Sequence, residues 1–262
     1  MIPLRPAERL LQELGITEPD EIDLDAIAWH VGCEVRYARL EGWEAGILGA
    51  GDRAIISISN QVAPVRRRFS LGHELGHWHH HRGRAFICRS DDIGDHVRSA
   101  ADPERVADGF AADLLLPPYL FLPRIDRKGR PSFKHIAELA ATFNTSIPAT
   151  AIRFVGMSAH DLVLVCHTPK GRRWFRRGPR VPDRWFPRDE LDADSYAFDV
   201  MFKGKDSSHV ALMPASAWFD RGEADRYELY EETLRISASE TLTLLTIKND
   251  EMLEEWSLRD RR

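Results

Sequence analysis

The sequence predicts an α+β protein: a mostly helical N-terminal region with a small sheet and a turn-linked helix pair, then a β-rich C-terminal region. Three observations predict it. Apolar residues recur at three- and four-residue spacing through most of the chain up to Val155. After Leu162 short alternating or continuous apolar runs take over. The composition, 43% apolar and 29% charged over 262 residues, is that of a globular chain with core enough for one large or two modest domains. The change of texture near Gly156–Asp161 sets the expected division, residues 1–156 and 157–262.

Several classes are excluded. A net charge of -5 is mild for this length and does not by itself point to nucleic acid or membrane. The three cysteines, Cys33, Cys88 and Cys166, are too few and odd in number for a disulfide framework. No stretch approaches the roughly 18 apolar residues of a membrane span. The opening MIPLRPAERLLQELG carries charges among its leucines, unlike a secretory signal. A cytoplasmic location is expected.

The elements follow in order. Residues 5–14 place Leu10, Leu11 and Leu14 on one side of a helix. Asp20–Gly32 repeats the pattern with Leu24, Ile27, Ala28 and Val31, and Gly32 ends it. Cys33–Leu40 alternates as a strand, and Glu44–Ser59 divides into two strands around Gly49–Asp52. Ala63–His81 is a long helix, Ser90–Asp102 a polar loop. In Pro103–Pro117, Pro103 suits a first helical turn and Pro117-Pro118 stops the helix. Phe133–Thr142 and Ile147–Val155 form a helix-turn-helix-like pair. Asp161–Thr168, Ser195–Phe202, His209–Pro214 and Glu240–Asn249 read as strands.

Chemistry concentrates in HELGH. Positions i and i+4 of a helix share a face, so His73 and His77 can bind one cation, with Glu74 beside them able to reach a bound water. Zinc suits this donor set, since it accepts imidazole and carboxylate, leaves a position for water, and lowers that water's pKa towards about 7. Glu74 is then the general base of peptide hydrolysis. His81 lies a further turn on. Three ligands at i, i+4 and i+8 cover about 12 Å of axis, too far for one zinc with bonds of about 2 Å. His79 and His80 point off the face. Glu104, in the first turn of the next long helix, has two readings: a third ligand, or a carboxylate balancing the helix dipole. Asp108, one turn later, suits an acceptor for the other nitrogen of a ligand imidazole.

RRRFSLGHELGHWHHH followed by ERVADGFAADLLLP resembles the ImmA/IrrE family of zinc metallopeptidases. Glu104, Ala107, Phe110, Ala111, Leu114, Leu115 and Pro117 match that pattern position by position. Asp108 stands for its asparagine, Leu116 for its methionine, and Gly72 for the commoner alanine. The resemblance covers residues 8–155. It implies a zincin-like peptidase domain, Glu104 as third zinc ligand, one zinc per chain, and a partner helix-turn-helix repressor whose cleavage switches on stress, DNA-damage or phage-defence genes. It also implies, for some members, a GAF-like sensor domain after the peptidase. A regulatory protease needs a restrained site, which draws attention to Cys88: either a zinc ligand that latches the site, or a small buried hydrophobe.

The C-terminal region holds PKGRRWFRRGPR. Lys170, Arg172, Arg173, Arg176 and Arg177 with Trp174 among them suit single-stranded DNA, charges tracking phosphates and rings stacking on bases. The plainer reading is a strand-connecting hairpin with solvated arginines. A competing function for the whole chain is a DNA-binding regulator that uses the 133–155 pair and holds a structural zinc.

Overall fold

The computed structural model describes residues 4–82, 85–88 and 102–254. The expected loop Ser90–Asp102 lies outside the described residues except for Asp102. The chain forms two compact units, Met1–Arg124 with Ala140–Ser146, and Ile125–Leu139 with Ile147–Arg262.

The first unit begins with α1 (Pro6–Glu13) and α2 (Leu24–His30). Asp23 caps α2 by accepting from the Asp25 and Ala26 amides. Gly32 ends it at φ 87, where a Cβ would sit 2.6 Å from the Asp52 carbonyl oxygen, so only glycine lets the chain turn directly into β1 (Cys33–Ala38). Next come β2 (Ala45–Ala50) and β3 (Arg53–Ser59), a hairpin turned at Gly51-Asp52. They are followed by α3 (Pro64–His80), β4 (Phe86–Cys88), α4 (Pro103–Leu115) and α5 (Pro118–Phe121). The sheet order is β1-β3-β2-β4, with β1 parallel to β3 and the other pairs antiparallel.

Helix α3 is buried without a break from Ser70 to Trp78. The Trp78 indole donates to the Val31 carbonyl at 2.8 Å, tying the helix to the end of α2. Its other neighbour is α4. A Cβ on Gly76 would lie 2.8 Å from Ala107 Cα, and one on Gly72 3.3 Å from Ala111 Cβ. Small residues on both helices therefore bring two backbones close together.

Helix α6 (Phe133–Phe143) starts in the second unit and ends in the first, and Asn144, at φ 51, turns the chain into α7 (Ile147–Met157). The second unit continues with β5 (Leu162–Thr168), β6 (Gly171–Arg177), α8 (Tyr196–Phe202), β7 (Ala211–Pro214), β8 (Glu228–Ser237) and β9 (Glu240–Ile247). Its antiparallel sheet runs β6-β5-β9-β8-β7. Val163, Val165, Leu229 and Leu245 face a core built with Trp185, Trp218 and Phe219.

One expectation is corrected here, and one strand is added. Ser195–Phe202 is a helix, not a strand: the Ser195 hydroxyl accepts from the Phe198 amide as N-cap, and Ala197, Val200 and Met201 are its buried set. Glu228–Ser237 is a strand that hydrophobic alternation misses, because its inward positions include Glu231 and Thr233.

Candidate metal centre

Helix α3 presents His73, Glu74 and His77 at full burial, and the first turn of α4 presents Glu104. The Nε2 atoms of His73 and His77 are 3.0 Å apart. Oε2 of Glu104 lies 3.1 Å from the first and 3.4 Å from the second. The structure thus brings the two histidines and Glu104 to one point. Glu104 is placed there by Asp102, whose carboxylate accepts from the Glu104 amide at 2.9 Å and caps α4. Behind His73, Asp108 lies 2.9 Å from Nδ1. Cys88 reaches the same point from β4, its Sγ 3.7 Å from Nε2 of His77 and 3.8 Å from Oε2 of Glu104.

The electrostatics are those of a cation seat. Burial alone would lower the His73 pKa, but hydrogen bonds with Asp108 and Glu104 push it up to about 9. Burial would raise the Glu104 pKa, yet the two histidines hold it well below the usual carboxylate range. For Glu74 burial prevails: His73 and the Cys88 thiol offset only part of it, and its pKa is pushed up to about 7. Both Glu74 oxygens are buried with no hydrogen-bond partner among the described residues. Native proteins rarely bury a carboxylate so, and a catalytic role is one reason they do.

The residues therefore fit a metal. Two imidazoles and a carboxylate converge, and tetrahedral bonds of about 2.0–2.1 Å put neighbouring donors roughly 3.3 Å apart, close to the 3.0, 3.1 and 3.4 Å found.

Three contributors had weak or no signal in the sequence. His81 lies off the converging atoms, but its Nδ1 is 3.4 Å from Nδ1 of His77, so it braces that ring from behind; the i+4 spacing pointed to this. Phe86 stacks on His77 with centroids 4.0 Å apart. Glu44, buried at the start of β2, accepts from Ser70 Oγ at 2.5 Å and pairs with Arg66 at 2.6 Å, fixing α3 one turn before His73. Nothing in a single sequence marks Glu44. His79 packs on Phe110, away from the centre.

The basic stretch forms strand β6, at the edge of its sheet. Lys170 and Arg173 are exposed. Arg173 pairs with Glu240, and Arg177 with Asp183 at 2.6 Å. Arg172 donates to the Pro187 carbonyl and lies over the Phe186 ring at 4.4 Å, while Arg176 lies 6.0 Å from the half-buried Trp174 ring. Arg172 also lines an open cleft of about 460 Å³ with Arg184, Phe186, Arg188, Asp220 and Arg221. Its walls are mainly charged.

A buried HExxH helix facing a carboxylate on its packed neighbour defines a metallopeptidase-type centre. The family model described as the IrrE N-terminal-like domain matches residues 28–155, and that domain places this part of the chain among the ImmA/IrrE metallopeptidases. Over 116 residues the chain is 28% identical to the radiation response metalloprotease IrrE of Deinococcus radiodurans, a match that spans 42% of this chain and about a third, 32%, of that relative. Among solved structures it is similar to a Mycobacterium tuberculosis transcriptional regulator, with a TM-score of 0.54 at 16% identity over 94% of this chain and 87% of the other. That likeness is one of fold. No helix among the described residues is long and apolar enough to cross a membrane.

Proposed function

We propose that this protein is a zinc-dependent endopeptidase, one zinc per chain held by His73, His77 and Glu104, that cleaves a partner helix-turn-helix repressor and so derepresses stress, DNA-damage or phage-defence genes. The observation that carries the peptidase reading is Glu74, a buried carboxylate whose oxygens find no hydrogen bond among the described residues, one residue from His73. A purely structural zinc gives Glu74 no task. Bound zinc supplies a Lewis acid that polarises the scissile carbonyl and makes water a stronger acid. The protein's own groups do the rest. Glu74 takes a proton from the attacking water on a carboxylate oxygen, then returns it to the departing amide nitrogen. Asp108 and His81 hold the two imidazoles in place through their Nδ1 atoms. Zincin-like architecture of the peptidase domain 1–156, with the 133–155 pair as its helix-turn-helix-like part, and a GAF-like sensor role for 157–262 complete the reading.

Activation by single-stranded DNA is the regulatory part. Arg172, Arg173, Trp174, Arg176 and Arg177 share one edge strand with Lys170 in the turn before it, and phosphates must compete with Glu240 and Asp183 for Arg173 and Arg177. Binding is therefore expected to fall steeply with salt.

The test is Glu74→Gln assayed against a candidate helix-turn-helix repressor that the wild type cleaves. Expected are loss of cleavage and retention of one zinc per chain. A Glu74→Gln protein that still cuts sinks the mechanism. No binding of a labelled oligonucleotide at low salt removes the DNA part alone.

A further inference from the structure

The open cleft of about 460 Å³ lies entirely within the second unit. Its volume falls in the range of small-molecule sites, about 300–1,000 Å³. Three backbone segments frame it, and they are bonded to one another. Pro187 bridges Phe219, and the Arg188 amide donates to the Trp218 carbonyl at 2.8 Å. The Arg172 amide, at the start of β6, donates to the Asp189 carbonyl at 2.8 Å. The fold therefore sets the walls before anything binds.

Four guanidinium groups line these walls, those of Arg172, Arg184, Arg188 and Arg221. Two are held by neutral carbonyls, which orient a cation without cancelling its charge. Arg172 donates to Pro187, and Arg184 donates to Met252 at 3.1 Å and to Glu254. The other two meet little negative charge at close range. Arg188 comes no nearer than 3.9 Å to Asp220, whose side chain is 94% exposed. The Arg188 Nε is buried with no hydrogen bond among the described residues. Arg221 shares one carboxylate, Glu223, with Arg184, at 3.1 and 3.5 Å. Asp189 and Glu190 also line the cleft, but both are exposed. Water and salt screen exposed carboxylates more than the half-buried arginines, so the field inside the cleft is positive.

An aromatic platform stands beside these cations. Arg172 lies over the Phe186 ring at 4.4 Å and Phe175 packs on it at 4.9 Å, yet Phe186 remains 54% exposed. A large apolar ring left open next to arginines suits a ligand with a flat body and an anionic group.

We propose that this cleft binds a phosphate monoester with a planar body, of the size of a nucleoside monophosphate. The phosphate pairs with Arg188 and Arg221 and releases Asp220 to water, while the planar body rests on Phe186. Arginine suits the task because its flat fork bonds two phosphate oxygens at once. Arg188, Arg221 and Phe186 lie outside the basic stretch of β6, so the inference stands apart from both the DNA reading and the peptidase reading.

Equilibrium dialysis of the full-length protein against AMP, GMP, CMP and UMP tests it. At least one should bind with a Kd of about 1 mM or below, and its nucleoside, lacking the phosphate, roughly tenfold or more weaker, about 1.4 kcal/mol. Arg188→Gln should weaken the nucleotide by as much. If that variant fails to fold, Arg221→Gln takes its place, at a side chain 44% exposed. Phe186→Ala should weaken the nucleotide and leave the binding of inorganic phosphate unchanged. No binding of any of these nucleotides, or equal binding by the arginine variant and the wild type, overturns the proposal. Equal nucleotide binding by Phe186→Ala overturns the planar body. A labelled oligonucleotide without a terminal phosphate separates this cleft from the DNA reading. A loss of its binding in Arg188→Gln that parallels the nucleotide's would make the cleft part of a DNA surface and overturn a separate site.

Discussion

Asp108 Oδ1 lies 2.9 Å from Nδ1 of His73, so one carboxylate on α4 decides which nitrogen of a histidine on α3 faces Glu104. The same helix supplies Glu104 one turn earlier, and α4 therefore both completes the donor set and aims it. Replacing Asp108 by alanine should lower zinc affinity about 10–100-fold while the fold persists. Competition with a chromophoric chelator measures it, and unchanged affinity would show that His73 is oriented by packing alone.

Gly72 and Gly76 share one face of α3 but should respond oppositely to alanine. In a helix interior the exchange gains about 1 kcal/mol from propensity. At Gly76 the new Cβ meets backbone, Ala107 Cα at 2.8 Å and its oxygen at 2.9 Å, which cannot give way locally. Overpacking of this kind costs about 1–3 kcal/mol. Gly76→Ala should lower the melting temperature. Gly72→Ala meets only the Ala111 methyl at 3.3 Å and the ordinary contacts behind it. It should be neutral or mildly stabilising, which is also why alanine suits that position in the family pattern.

The Arg66–Glu44 pair should be asymmetric. Glu44 is buried, while the Arg66 side chain is 33% exposed. Removing Arg66 leaves a buried carboxylate short of its cation, a loss of about 3 kcal/mol. Removing the charge with Glu44→Gln keeps an acceptor for Ser70 and lets Arg66 turn to water, a loss of about 1 kcal/mol. Denaturant unfolding of Arg66→Met and Glu44→Gln compares them, and the reverse order would show that Glu44 is solvated better than its burial implies.

In the second unit, burial pushes the Glu231 carboxyl up to about 7, although the Trp218 indole and the Ala197 amide donate to it. The folded state therefore holds a proton that the unfolded state releases near pH 4.5. Between these values the folded form binds more protons, so the Glu231 contribution is largest below about pH 4.5 and declines towards pH 7, by at most about 3 kcal/mol. His167 acts in the opposite sense: burial lowers its pKa to about 4, so its contribution rises with pH between about 4 and 6.5. Glu231→Gln isolates the first effect. The wild type should lose stability relative to it from pH 4.5 to 7, and parallel curves would refute the shift.

Much of the centre is local and therefore legible. His73 and His77 fall on one face by helical spacing, and His81 fails as a third ligand to one ion by simple length along the axis. Glu104 was narrowed to two roles by its place in a first turn, and the family pattern favoured one of them. Ser195–Phe202 carried both alternating aromatics and a three-and-four apolar set, and the capping hydroxyl of Ser195 decided for helix. Strand β8 escaped because its buried face is partly polar, with Glu231 and Thr233 satisfied by partners far along the chain.

By itself, then, the sequence determined which helix carries the histidines, where that helix starts, the neighbouring glycines that let another helix approach, and the type of chemistry such residues support. Only the tertiary structure decided that Glu104 and Cys88 meet the histidines at one point, that Asp108 and His81 stand behind the two rings, and that Glu44 anchors both α3 and β4. The reason is physical. Periodicity fixes which way a side chain points within its own element, because backbone geometry repeats over a few residues. The distance between atoms on different elements depends on how those elements pack, and here two glycines on α3 opposite two alanines on α4, with one buried carboxylate at the head of β2, set that packing.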